Sequence, residues 1–220
     1  GGVFATYSDG GKPEMLLADL GERFELEEIA LRPWPGATPA QSALTGAFDL
    51  VAEEPPEFAA IDHVRIEVPP SVHQAHEKFA KPQGKFEALL SFQFMVAKVL
   101  RDRNFWFDSL KPDHVADPEL RAFMRDKIEL AADPGLAFGQ SRITVTAGGA
   151  AKSAEVRAAK GAPGNPAGLD DLCAKFKRCV AGRLTAADAE ELLEILVHID
   201  EHDDLGRLFS LLGSAGERAD

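Results

Sequence analysis

Residues Phe86 to Leu100 place apolar side chains on nearly every face of a helix: Ala88, Leu89, Leu90, Phe92, Phe94, Met95, Val96, Ala97, Val99 and Leu100. A surface helix keeps one polar side, so this segment predicts a helix buried inside a core. It is too short for a bilayer, which needs about 20 apolar residues. A helix covered all round needs other layers packed against it, and the rest of the chain must supply them.

Alternating apolar positions supply strands. Ile61 to Val68 sets Ile61, Val64, Ile66 and Val68 against Asp62, Arg65 and Glu67, and Pro69-Pro70 ends it. Ser141 to Ala147 alternates likewise, Gly148-Gly149 turns the chain, and Ser153 to Ala159 is expected to pair back as a hairpin. Phe24 to Leu31 reads as a further strand with a bulge near Glu27-Glu28, and Lys127 to Ala131 as another.

Helices are expected at Pro13 to Leu20, from Thr38 to about Ala52, and at Pro118 to Arg125 after an Asp117 cap. In the second, Thr38 would cap, Pro39 would take the first helical position, and Gln41 would reach back in a capping box. Asn104 to Leu110 resembles a helical turn, and residues 71 to 84 a loop or irregular helix. After the stiff Gly161-Ala162-Pro163-Gly164-Asn165-Pro166 loop come three helices: Leu169 to Ala181, Ala186 to Ile199 capped by Thr185, and Leu205 to Leu212. The fold class is therefore α+β, a mainly antiparallel sheet with helices, followed by C-terminal helices that belong against another helical body.

Charge narrows the function. Lys plus Arg is 24 and Asp plus Glu is 36, a net charge of −12 over 220 residues. Nucleic acid and anionic membranes are poor partners for such a surface, because phosphate binding needs surplus positive charge. A small anionic ligand needs only a local cluster of cations. The chain begins Gly1-Gly2-Val3-Phe4 without an initiator Met, so it is expected to be processed or a piece of something longer. Cys173 and Cys179 are six apart and fall on different helical faces, as for reduced structural thiols in a cytoplasm.

The best local candidate for a site is Arg32, in the stiff Arg32-Pro33-Trp34-Pro35-Gly36 loop beside the helix that starts near Pro39. Arginine offers a fixed fork of donors matching a carboxylate, and a helix start adds unpaired N–H groups. The alternative is a strand-end Arg paired with a nearby Glu. His198 and His202 stand at i, i+4 with Glu194 and Glu201 nearby, which is metal-compatible spacing; a solvated acidic face is the plainer reading, and no metal is expected. His73 and His76, three apart in a polar stretch, are read the same way. The aromatic run Phe105-Trp106-Phe107 is read as closing a core rather than stacking a ligand.

Several separated segments resemble one family. They are the Leu20-Gly21 turn; the Arg32-Pro33-Trp34-Pro35 loop with its helix; Glu87-Ala88-Leu89-Leu90-Ser91-Phe92-Gln93-Phe94-Met95-Val96-Ala97; and Gly161-Ala162-Pro163-Gly164-Asn165-Pro166 followed by Leu172 and Lys175-Phe176. Together they resemble the C-terminal half of MmgE/PrpD proteins, which include 2-methylcitrate dehydratase, cis-aconitate decarboxylase and iminodisuccinate epimerase.

The resemblance implies an α/β lid at about residues 22–160, a lead-in from a preceding helical domain at 1–21, and a C-terminal helical segment at 161–220 that returns to that domain. It implies a cytoplasmic homodimer with no organic cofactor or metal, acting on a small di- or tricarboxylate. The chemistry would be proton abstraction beside a carboxylate, then loss of water or carbon dioxide, or reprotonation. The main acid–base residues would come from the helical half, and this chain alone would be inactive. Three positions carry over as substrate-binding. The family's loop Lys falls on Arg32, its helix His on Gln41, and its buried-helix Tyr on Phe94. Each change lowers acid–base capacity. Two functions stay open: the lid half of a dehydratase-like lyase or isomerase, or a non-catalytic carboxylate-binding module that works with a partner.

Overall fold

The computed structural model describes residues 2–7, 9, 11–52 and 55–217. The helices are α1 (Val3–Tyr7), α2 (Gln41–Ala52), α3 (Pro70–His76), α4 (Lys85–Ala88), α5 (Phe92–Asp102), α6 (Pro112–Val115), α7 (Pro118–Lys127), α8 (Leu169–Val180), α9 (Ala186–Val197) and α10 (Gly206–Glu217). The strands are β1 (Ile61–Val68), β2 (Ile128–Ala132), β3 (Ser141–Ala147) and β4 (Ala150–Val156). Among the described residues no helix is long and apolar enough to cross a membrane.

The strands form one sheet in the order β2-β1-β3-β4. β1 runs parallel to β2 and antiparallel to β3, and β3–β4 is a hairpin with Ala147 opposite Ala150. The fold is thus α+β with a mostly antiparallel sheet. α2, α5 and α7 pack on the sheet and bury Val64, Ile66, Ile143 and Val145. The other face is polar, with Arg65 on Glu129 (2.6 Å), Arg142 on Glu155 (3.1 Å) and Thr144 on Ser153 (2.8 Å). Alternation along β1 and β3 follows from this division, one side dry and one wet.

Phe92 to Leu100 is buried throughout, as the apolar run demands. The run is not one helix, however. α4 ends at Ala88, and α5 begins at Phe92 behind Ser91, whose hydroxyl accepts from the Phe94 N–H (3.2 Å). The break frees two carbonyls for tertiary bonds: Leu89 O accepts from Ala37 N–H (3.0 Å), and Leu90 O pairs with His76 Nδ1 (2.9 Å). Phe86, before the break, is exposed.

The segment 24–31 departs from expectation. It forms no strand; Glu25–Glu28 is a 3₁₀ turn, and Leu26 and Ile29 are exposed. A strand needs a partner edge, and among the described residues this stretch reaches one only through Leu31, whose N–H bonds Gly161 O (2.8 Å). Upstream, only Pro13–Leu16 of the expected helix forms, as a 3₁₀ turn. Met15, Leu16, Leu17, Leu20 and Phe24 are likewise exposed.

The C-terminal helices come as expected, with Thr185 Oγ1 accepting from Asp188 N–H (3.1 Å), and α10 is longer than the sequence suggested. α9 and α10 close a separate small core of Leu192, Ile195, Leu208 and Leu211, with Phe176 of α8 against it.

Candidate functional site

The loop from Arg32 to Ala37 is pinned at five points. Leu31 N–H bonds Gly161 O just before it. Lys175 Nζ, from α8, donates to the Arg32 carbonyl (2.9 Å). Trp34 stacks on Phe48 of α2, with centroids 4.7 Å apart and planes at 13°. Gln41 Nε2 donates to the Trp34 carbonyl (3.2 Å), and Ala37 N–H to Leu89 O. Two prolines and these anchors fix the backbone, so the Arg32 side chain projects from a preorganised base.

The Gly161–Pro166 segment explains its own composition here. Gly161 has φ +88°, and its N–H donates to Asn165 O (2.7 Å). A methyl group on it would sit 1.9 Å from the Leu31 carbonyl oxygen. Asn165 Nδ2 donates to Ala158 O (3.2 Å). The motif is therefore a clamp that lets residue 31, and with it Arg32, lie against the end of the hairpin.

Two sizeable cavities flank this loop, and Arg32 lines both; a crevice of about 10 Å³, too small for a ligand, also lies between Arg32, Asp171 and Lys175. The larger, about 570 Å³, has Trp34, Leu89, Leu90, Trp106 and Phe107 as apolar wall and Arg32 and Lys175 as its cations. The smaller, about 210 Å³, lies toward Gln41, Phe138, Arg157 and Lys160. Neither is lined by an Asp, Glu or His. The Arg32 guanidinium has one long contact, to Gly36 O (3.4 Å), and among the described residues neither Arg32 nor Lys175 forms an ion pair. The reading of Arg32 as a partner of a nearby Glu is not what the structure shows. In a chain with twelve surplus negative charges, two cations without ion-pair partners line one cleft, an arrangement that can attract an anion. Around them other charges are paired. Lys160 holds Asp171 (2.8 Å), and that hydrogen bond, helped by Gly168 N–H, keeps the Asp171 carboxyl below its ordinary range.

The other expected site residues are placed differently. Gln41 is buried at the start of α2 and lines the smaller cavity. It makes no capping box. The turn Thr38–Ala40 is 3₁₀ with Ala37 as its cap and no side-chain bond, because the Gln41 amide is drawn to the Trp34 carbonyl instead. Phe94 is fully buried, packed edge-on against Phe105 at 6.4 Å, and lines neither cavity. Of the three, the structure brings Arg32 and Gln41 to cavities on the two sides of one loop and leaves Phe94 in the core.

Sequence reasoning did not single out three residues that line the larger cavity. Lys175 stands in the Lys-Phe pair that follows the Gly-Pro-Asn segment, yet nothing in its spacing announces a partner 143 residues away. Trp106 and Phe107 were expected in the core, but only Phe105 is there; Phe107 is exposed and Trp106 half-buried, with the Arg178 guanidinium 4.2 Å over its ring. His73 and His76 bond the Leu130 and Leu90 carbonyls, and His198 pairs with Glu194 and Glu201. Among the described residues no group of three or more His, Cys, Asp or Glu could hold a metal ion. Both cysteines are free thiols.

The model of the MmgE/PrpD C-terminal domain matches residues 34–201, which takes in the loop after Arg32, the apolar helix, the sheet and Lys175. The chain belongs to the MmgE/PrpD family. No curated protein matches the sequence. The MmgE/PrpD family includes dehydratases and lyases, and the matched span covers every cavity-lining cation except Arg32, two residues before it.

Proposed function

We propose that this chain is the lid part of an MmgE/PrpD lyase or isomerase, dehydratase-like, whose Arg32 and Lys175 hold a carboxylate of a small di- or tricarboxylate. The observation that carries the reading is the pair of cations without ion-pair partners at one cleft of an acidic chain. Arginine supplies a two-pronged contact and lysine a point charge, together a match for a carboxylate. Held there, the substrate would lose a proton from the carbon beside its carboxylate. The electron pair so formed would then expel the hydroxyl as water or stay to be reprotonated. Arg32 steadies the negative charge and moves no proton, because a guanidinium stays protonated. The base and acid come from a helical domain against which residues 1–21 and the C-terminal helices pack. The exposed apolar run from Met15 to Leu31 supports that docking. The assembly is a cytoplasmic homodimer in this reading.

A second reading, carboxylate binding without turnover, is favoured by one observation: neither cavity has an acidic or imidazole group in its wall. The two part in one experiment. The intact protein is assayed on 2-methylcitrate, citrate and cis-aconitate for water loss and carbon dioxide release, beside Arg32→Ala. Turnover with a raised KM in the variant supports the lyase. Arg32-dependent binding without turnover supports the second reading. Binding indifferent to Arg32 removes both.

A further inference from the structure

The larger cavity is a poor match for a small polycarboxylate alone. It is an open cleft of about 570 Å³, with more room than a small tricarboxylate fills. Its wall is also of the wrong kind for a ligand charged all round. Apart from Arg32 and Lys175, it consists of Trp34, Leu89, Leu90, Trp106, Phe107 and other residues without charge. Charged groups of a ligand laid along that uncharged stretch would lose hydration with nothing in return.

We infer that the cavity takes an amphipathic polycarboxylate, with its carboxylate end at Arg32 and Lys175 and an alkyl or aryl substituent along the Trp106–Phe107 wall. This deepens the carboxylate-binding reading above and rests on it. Lys175 Nζ is bonded to the Arg32 backbone carbonyl, so the two residues stand side by side in the cavity wall, apart from the Trp106–Phe107 stretch of it. The aromatic wall is held from outside. Arg178 lies over Trp106 and bonds Asn104 Oδ1 (2.8 Å), and Lys85 Nζ stands 5.7 Å from the Phe107 ring centroid. Trp106 N–H further donates to Ser109 Oγ (3.2 Å), which fixes the backbone beneath the ring. An aromatic wall fixed in this way gains more from an apolar substituent than a mobile one, because less ordering is left to do.

The test is calorimetric titration of the intact protein with succinate, butylsuccinate, octylsuccinate, phenylsuccinate and uncharged octanamide. The inference expects affinity to rise about fourfold for each methylene buried, phenylsuccinate to exceed succinate by tenfold or more, and octanamide to bind far more weakly than octylsuccinate. Phe107→Ala should flatten the chain-length dependence; the residue is exposed, so the variant should fold, and its melting temperature verifies that. Arg32→Ala should weaken the whole series by one common factor. A flat series with Arg32-dependent succinate binding overturns this inference and leaves the carboxylate site standing. Octanamide binding as tightly as octylsuccinate also overturns it. A series insensitive to Arg32→Ala removes the carboxylate reading itself.

Discussion

Lys175 on α8 donates its ammonium proton to the backbone carbonyl of Arg32, across 143 residues of sequence. One contact thus joins the C-terminal helices to the loop that presents the guanidinium, and it places both cations at the same cleft. Lys175→Ala removes a charge and an anchor together. Affinity for a tricarboxylate is expected to fall about tenfold or more, in line with about 1.5–3 kcal/mol for a hydrogen bond to a charged group. Lys175→Arg should recover part of it. Titration calorimetry on both variants decides; unchanged affinity in Lys175→Ala would place the ammonium outside the site.

Gly161→Ala tests the clamp beneath Arg32. The added methyl meets the Leu31 carbonyl oxygen, and φ there is +88°. The Leu31–Gly161 bond should break, at a loss of about 1–3 kcal/mol in urea unfolding. Carboxylate affinity should fall with it, although no ligand-contacting atom has been touched. A stable variant with normal binding would show that the clamp does not position Arg32.

Lys98 is nearly fully buried on α5, and its ammonium meets the Asp102 carboxylate. Arg101 bonds the same carboxylate (2.9 Å) and Asp117 (2.7 Å). Burial pushes the Asp102 carboxyl up, but hydrogen bonds from Lys98 and Arg101 outweigh it and hold it below the ordinary range. Asp102→Ala leaves a buried ammonium alone and should lose about 3 kcal/mol or more. Lys98→Met keeps the volume and leaves Asp102 with Arg101, so it should stay within about 1 kcal/mol of the parent. Equal losses in the two variants would contradict this assignment.

Asp117 caps α7, its Oδ1 accepting from Glu119 N–H (2.9 Å) and Leu120 N–H (3.1 Å). Burial works against the charge, yet these bonds and Arg101 keep its carboxyl below the usual range. A carboxyl lowered in the folded state stabilises fully above its unfolded value of about 3.9 and loses that contribution as pH falls through the folded value. Asp117→Ala should therefore lose about 1 kcal/mol at neutral pH. The gap to the parent should close as the pH is taken well below 4. A gap that stays constant into acid would argue that Asp117 acts through shape rather than charge.

The sheet was legible where one face is dry and the other wet. β1 and β3 fall on the residues that alternation marks, and the positive φ of Gly148 and Gly149 turns the hairpin where two glycines stand. At Phe24–Leu31 alternation alone misled, since apolar residues there have no partner edge and remain in solvent. The apolar run showed its burial but not its break. Ser91 was in view as a serine, while its capping role depends on carbonyls that Ala37 and His76 claim from elsewhere. Arg32 stood out in the sequence because two prolines stiffen its loop, and the structure sets it in the wall of a cleft. Lys175, Trp106 and Phe107 did not, because what makes them cavity residues is a meeting of α8 with the 32–37 loop.

The central claim is that Arg32 holds a carboxylate at this cleft. Titration calorimetry of 2-methylcitrate or citrate into the intact protein and its Arg32→Ala variant tests it most directly. The account predicts saturable binding to the parent and a Kd raised about 10- to 100-fold in the variant, with the melting temperature unchanged. Equal Kd values in the two proteins would contradict it.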